Sequence, residues 1–86
     1  MQRYMVIERF RQGNSAAVYD RFHAQGRLLP EGLHYIDSWL SADDTTCYQV
    51  METNHPETFD IWIAHWNDLV EFEVIELKDK PTGSTT

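Results

Sequence analysis

The sequence predicts a single α+β domain with the element order β-α-β-β-α-β. Three observations predict it. Four short segments rich in β-branched and aromatic residues alternate with two stretches of helical periodicity. Turn signals fall at the junctions: Gln12-Gly13-Asn14-Ser15, Pro30-Glu31-Gly32 and Asn54-His55-Pro56. The length of 86 residues allows one domain only, and 42% hydrophobic with 24% charged residues excludes disorder, collagen and low complexity. For this element order the usual solution is the ferredoxin-like split βαβ. Its four strands form an antiparallel sheet in the order 4-1-3-2, with both helices on one face.

Residues 2–9 read as the first strand. Tyr4 and Val6 lie on one parity and Met5 and Ile7 on the other, which predicts a central strand covered on both faces. A helix follows to about Gln25, with Asn14 or Ser15 as N-cap and Val18, Tyr19 and Phe22 as its apolar stripe. Gly26 suits the left-handed position after a helix, and Pro30-Glu31-Gly32 fits a turn that needs positive φ at the glycine. Residues 33–40 are the second strand. Strict alternation puts Leu33, Tyr35, Asp37 and Trp39 on one face and His34, Ile36, Ser38 and Leu40 on the other. The polar segment Ser41 to Thr45 then makes a hairpin loop into a third strand over 46–53, where Cys47, Gln49 and Met51 oppose Tyr48, Val50 and Glu52.

The second helix opens at Asn54-His55-Pro56-Glu57, with Asn54 and Glu57 at capping-box spacing. Phe59, Trp62, Ile63, Trp66, Leu69 and Val70 form the best amphipathic pattern in the chain. Near Val70 the period becomes two, so 70–77 is the fourth strand, with Val70, Phe72 and Val74 on one side and Glu71 and Glu73 on the other. The domain thus spans 1–77, and 78–86 is expected to be a flexible tail.

Two helices cover one sheet face only, while the first three strands carry apolar or aromatic residues on both. An exposed patch of that size predicts a two-fold homodimer packed sheet against sheet. The charge is −7, and its distribution says more: residues 1–27 sum to +3, whereas 28–77 contain 11 acids and no Lys or Arg. Such an acidic chain is expected to bind neither nucleic acid nor an anionic membrane. The arginines of the first strand should instead meet the glutamates of the fourth. One cysteine and no signal-peptide pattern lead us to expect a cytoplasmic protein.

The stretches RYMVIERF (3–10), GRLLPEGLHYIDSW (26–39), CYQVMET (47–53) and FDIWIAHWNDLVEFEV (59–74) together resemble a small bacterial family known as a domain of unknown function, number 3303. The resemblance implies membership of the dimeric α/β-barrel superfamily of ferredoxin-like dimers. Other branches of that superfamily include cofactor-free monooxygenases, muconolactone isomerases and haem-degrading enzymes. None of their catalytic motifs is matched here residue by residue, so no catalytic residue is carried over.

Polar residues set among the strand apolar residues are Glu8, His34, Asp37, Ser38, Gln49 and Glu52. Of these, Asp37 and Gln49 stand out. Asp37 between Tyr35 and Trp39 would be partly desolvated and able to move a proton, or it would simply pair with an arginine. Tyr35, Trp39 and Trp62 would wall a ligand cleft, although Trp62 and Trp66 also continue a core stripe. His23, His34, His55 and His65 lack metal-ligand spacing, Cys47 lacks an activating neighbour, and the glycines form no phosphate loop. No cofactor is therefore expected. Two readings follow. One is a homodimer that binds or transforms a small organic molecule, aromatic or acidic, without a metal. The other is a non-enzymatic dimeric interaction module whose aromatics are all core.

Overall fold

A computed structural model describes residues 1–78. Its central strand, β1 (Gln2–Phe10), pairs antiparallel with β3 (Thr46–Thr53) on one side and β4 (Val70–Glu76) on the other. β2 (Leu33–Leu40) pairs with β3 as a hairpin, which gives the sheet order β2-β3-β1-β4. That is the ferredoxin-like order, read from the opposite edge. α1 (Ala16–Gln25) and α2 (Thr58–Ala64) contact one core and so lie on one face. The expected tail 78–86 falls, from residue 79 onward, outside the described residues. Among the described residues no helix is long and apolar enough to cross a membrane.

The core is built from one parity of each strand. Tyr4 and Val6 of β1, Met51 of β3 and Leu33 of β2 form one buried cluster with Phe59, Trp62 and Trp66, and Phe10 of β1 and Val70 of β4 are buried as well. Val18 and Phe22 of α1 are only partly buried, and α1 has no fully buried residue. The two helices are thus unequal: α2 supplies the aromatic mass and α1 closes the remaining side.

Local chemistry sets the element ends. Ser15 occupies the N-cap of α1, yet its side chain does not cap the helix; Asn14 Oδ1 accepts the Ala16 N–H at 3.0 Å instead. Ser15 gives both its N–H and its hydroxyl to the Asp44 carboxylate in the β2–β3 loop. α2 is shorter than its apolar stripe. Its N-cap is Glu57, with no side-chain capping bond, so the expected Asn54–Glu57 box is not formed. Thr53 and Thr58 instead fix the turn that leads into it: Thr53 Oγ1 accepts the His55 N–H, and Thr58 Oγ1 donates to the His55 carbonyl. After Ala64 the stripe continues through consecutive turns to Val70, which keeps Trp66 in the core without regular helix.

On the far face, cross-strand rows place Trp39, Tyr48 and Ile7 side by side, and Val50, Met5 and Ile75 in the next row. Trp39 is 55% exposed and Tyr48 42%. The charge split has a local cause within one chain. Arg9 pairs with Glu73 at 3.0 Å, Arg3 with Glu52 at 3.4 Å, and Arg21 holds Asp68 at 2.7 Å.

Thr53 is fully buried and ties three segments, because its hydroxyl also donates to the Gly32 carbonyl at 2.7 Å. Thr53→Val keeps the volume and strands both partners. Chemical denaturation should show a loss of about 1–3 kcal/mol.

Candidate functional site

Between the sheet and the helices lies a cavity of about 100 Å³. The core parity of β1 should be apolar throughout, and Tyr4, Val6 and Phe10 obey. Glu8 shares that parity and is buried, 7% exposed. Cross-strand pairing sets Glu8 between Cys47 of β3 and Phe72 of β4. Gln49 and Ser38 are paired on the neighbouring strands and border the same space. Val18, Tyr19 and Phe22 of α1 form one wall; Trp62 of α2 and Trp66 in the turns after it form another.

A carboxylate in such surroundings loses its hydration. Among the described residues the Glu8 carboxyl makes no hydrogen bond, and since no fully enclosed side-chain oxygen or nitrogen there lacks a partner, its oxygens open onto the cavity. Burial raises its pKa to about 7, and the positive charge of Arg27 offsets only part of that effect. Glu8 is therefore close to half protonated at neutral pH, the condition under which a carboxyl group can both give and take a proton. The Cys47 thiol is pushed up to about 12 by burial, with the Glu8 charge acting in the same direction. It stays protonated and is no nucleophile. Burial also raises Tyr19, with Cys47, Asp44 and Glu8 adding to the effect.

Arg27, in the connection from α1 to β2, completes the lining. Its backbone carbonyl accepts the indole N–H of both Trp62 and Trp66, each at 3.0 Å. The flanking backbone is unusual on both sides: Gly26 has φ 73° and Leu28 φ 60°. Positive φ is ordinary for glycine and strained for leucine. The guanidinium lies 3.6 Å from the centroid of the Tyr35 ring and 5.0 Å from that of Phe22.

The structure separates the residues singled out from the sequence. Gln49 and Trp62 border the cavity. Tyr35 contacts it only indirectly, through Arg27 and through a 2.6 Å hydrogen bond with the Ser38 hydroxyl. Asp37 and Trp39 lie elsewhere, which corrects the expected sharing of one face by Tyr35, Asp37 and Trp39. The cause is a β-bulge: Tyr35 pairs with Met51 but Asp37 with Val50, so Ile36 is an extra residue. Beyond it every side chain changes face. Ser38 turns inward, while Asp37 is exposed and accepts the Ser38 N–H at 2.8 Å. Glu8, the central group of the site, was visible as an acid on the core parity of a central strand. Arg27 carried no signal beyond its place in a loop. Among the described residues no three His, Cys, Asp or Glu side chains cluster in a way that could hold a metal ion.

A family model described as Domain of unknown function (DUF3303) matches residues 2–78. The chain belongs to that family. The DUF3303 match covers all six elements and every residue of the cavity. No curated protein and no solved structure matches the chain.

The raised pKa of Glu8 makes stability depend on pH. The folded form holds a proton that the unfolded form releases above about pH 4.5, so stability falls as pH rises from 4.5 to about 7 and then levels off. The expected loss is about 3 kcal/mol. Glu8→Gln should abolish it, making the variant more stable than the parent at pH 8 but not at pH 4.5. Parallel urea titrations at the two pH values read this directly.

Proposed function

We propose that this protein binds a small, largely apolar organic molecule in the cavity between sheet and helices, beside the Glu8 carboxyl, and that it works as a homodimer. One observation carries the ligand reading: a buried carboxyl group borders open space among aromatic walls and has no hydrogen-bond partner among the described residues. Burying such a group costs free energy, and a purely structural core would fill the position with an apolar side chain. The volume fits the reading. An apolar cavity of about 150 Å³ holds benzene, so about 100 Å³ open toward solvent suits a single ring or a short branched chain. The lone free thiol supports a reducing compartment such as the bacterial cytoplasm.

The dimer reading rests on the far sheet face, where Trp39, Tyr48, Ile7, Met5, Val50 and Ile75 form a continuous apolar surface. Arg9–Glu73 and Arg3–Glu52 flank it. An apolar centre with a polar rim is the anatomy of a protein interface, and a second copy offers the same surface about a two-fold axis.

Two measurements test these readings. Phenol, benzyl alcohol and benzoate at about 10 mM should include at least one compound that raises the melting temperature by several degrees, since a native-state ligand at ten times its Kd adds about 1.4 kcal/mol. Val18→Phe, which narrows the cavity, should remove that shift; no response to any of the three would leave the interaction-module reading. Sedimentation at micromolar concentration should give a dimer that Trp39→Glu combined with Tyr48→Glu converts to monomers.

A further inference from the structure

We infer that the ligand is a small planar monocarboxylate whose carboxylate is received by Arg27 while its apolar body enters the cavity toward Glu8. The inference rests on the cavity being a ligand site, and adds the chemical class of the ligand. It starts from how the chain disposes of its arginines. Arg3, Arg9, Arg11 and Arg21 each meet an acidic side chain. Arg27 does not: among the described residues its guanidinium has neither an ion pair nor a hydrogen bond. Among the described residues it is also the only cationic one bordering the cavity.

Its placement is over-determined rather than incidental. Both indole N–H groups hold its carbonyl, and the chain accepts a strained φ of 60° at Leu28, the next residue. Strain of this kind costs on the order of 1–3 kcal/mol and persists where the surroundings require it. The guanidinium packs on the Tyr35 ring, with Phe22 also near. Aromatic packing fixes the position of the cation while leaving N–H donors for a carboxylate, which a guanidinium can bind through two parallel hydrogen bonds.

Charge balance favours one negative charge on the ligand. Arg27 contributes +1, and Glu8, close to half protonated at neutral pH, contributes less than a full negative charge, so the pair keeps a net positive charge. The other groups facing Glu8 add no charge near neutrality: the Cys47 thiol opposite it on β3 and the Tyr19 phenol on α1 are protonated, and Phe72, Trp62 and Trp66 do not titrate. A dicarboxylate would leave a buried charge unpaired, and a cation would be repelled by Arg27.

Isothermal titration of the full chain with benzoate and with benzamide, its neutral counterpart of similar size and shape, tests the inference. Benzoate should bind at least roughly ten-fold more tightly, as expected for a charge-assisted pair over a neutral one. Arg27→Gln should erase that preference, and Arg27→Lys should restore part of it. Equal or tighter binding of benzamide to the parent protein overturns the carboxylate assignment and leaves the cavity as a site for neutral molecules. That comparison needs no variant, so it stands even where Arg27→Gln fails to fold. Absence of binding by both compounds overturns the assignment together with the ligand reading beneath it.

Discussion

Two indole N–H groups share one peptide carbonyl, and much of the molecule is arranged around that junction. A carbonyl oxygen has two lone pairs, so the Arg27 carbonyl can satisfy Trp62 and Trp66 at once. Large aromatic side chains can then be buried without leaving a polar atom unpaired, the condition on which tryptophan enters a core. The same contact fastens the α1–β2 connection to α2. It fixes where the Arg27 side chain begins, and the indoles so held form one wall of the cavity. A core in an 86-residue chain has little apolar surface to spare. Here a few large aromatic groups, joined through one acceptor, supply it.

Architecture was legible in the sequence because it depends on periodicity. The β-branched and aromatic run in 2–9, the turn signals at Gly13 and Gly32 and the amphipathic stripe from Phe59 to Val70 each specify an element, and their order leaves few topologies. Of the arginines of the first segment, Arg9 meets Glu73 across β1 and β4, while Arg3 pairs instead with Glu52 of β3; Arg11, just past β1, approaches Glu71. Details that depend on a single residue out of phase were not legible. Nothing in Tyr35-Ile36-Asp37-Ser38 announces a bulge, since the bulge is a property of the pairing with β3 rather than of β2 alone. Its effect on the site is large: one extra residue exchanges Ser38 for Asp37 as the inward group. Likewise, the end of α2 at Ala64 was not legible, because the apolar stripe is satisfied equally by helix or by turns.

Candidate site residues divide along the same line. Gln49 and Trp62 lie on segments whose phase stays regular, and they reach the cavity. Asp37 and Trp39 follow the irregularity and do not. Glu8 lies on the most regular strand of all, and its significance could be read from parity: an acid on the same face as Tyr4, Val6 and Phe10 cannot avoid burial. Arg27 lies in a loop, where neither parity nor helical spacing applies. Its importance emerges only from the three-dimensional convergence of two rings on its guanidinium and two indoles on its carbonyl.

The two helices differ in how they are held. Phe59 and Trp62 root α2 in the core, whereas α1 contributes no fully buried side chain. Polar fasteners hold α1 instead: Ser15 on Asp44 at its start, and Arg21 on Asp68 and the His65 carbonyl farther along. Such contacts exchange readily with water, while aromatic burial does not. The chamber is thus roofed by a panel that joins separate polar pins to the half-buried contacts of Val18 and Phe22. Of the two helices, α1 is the one whose displacement would expose the fewest fully buried side chains of its own.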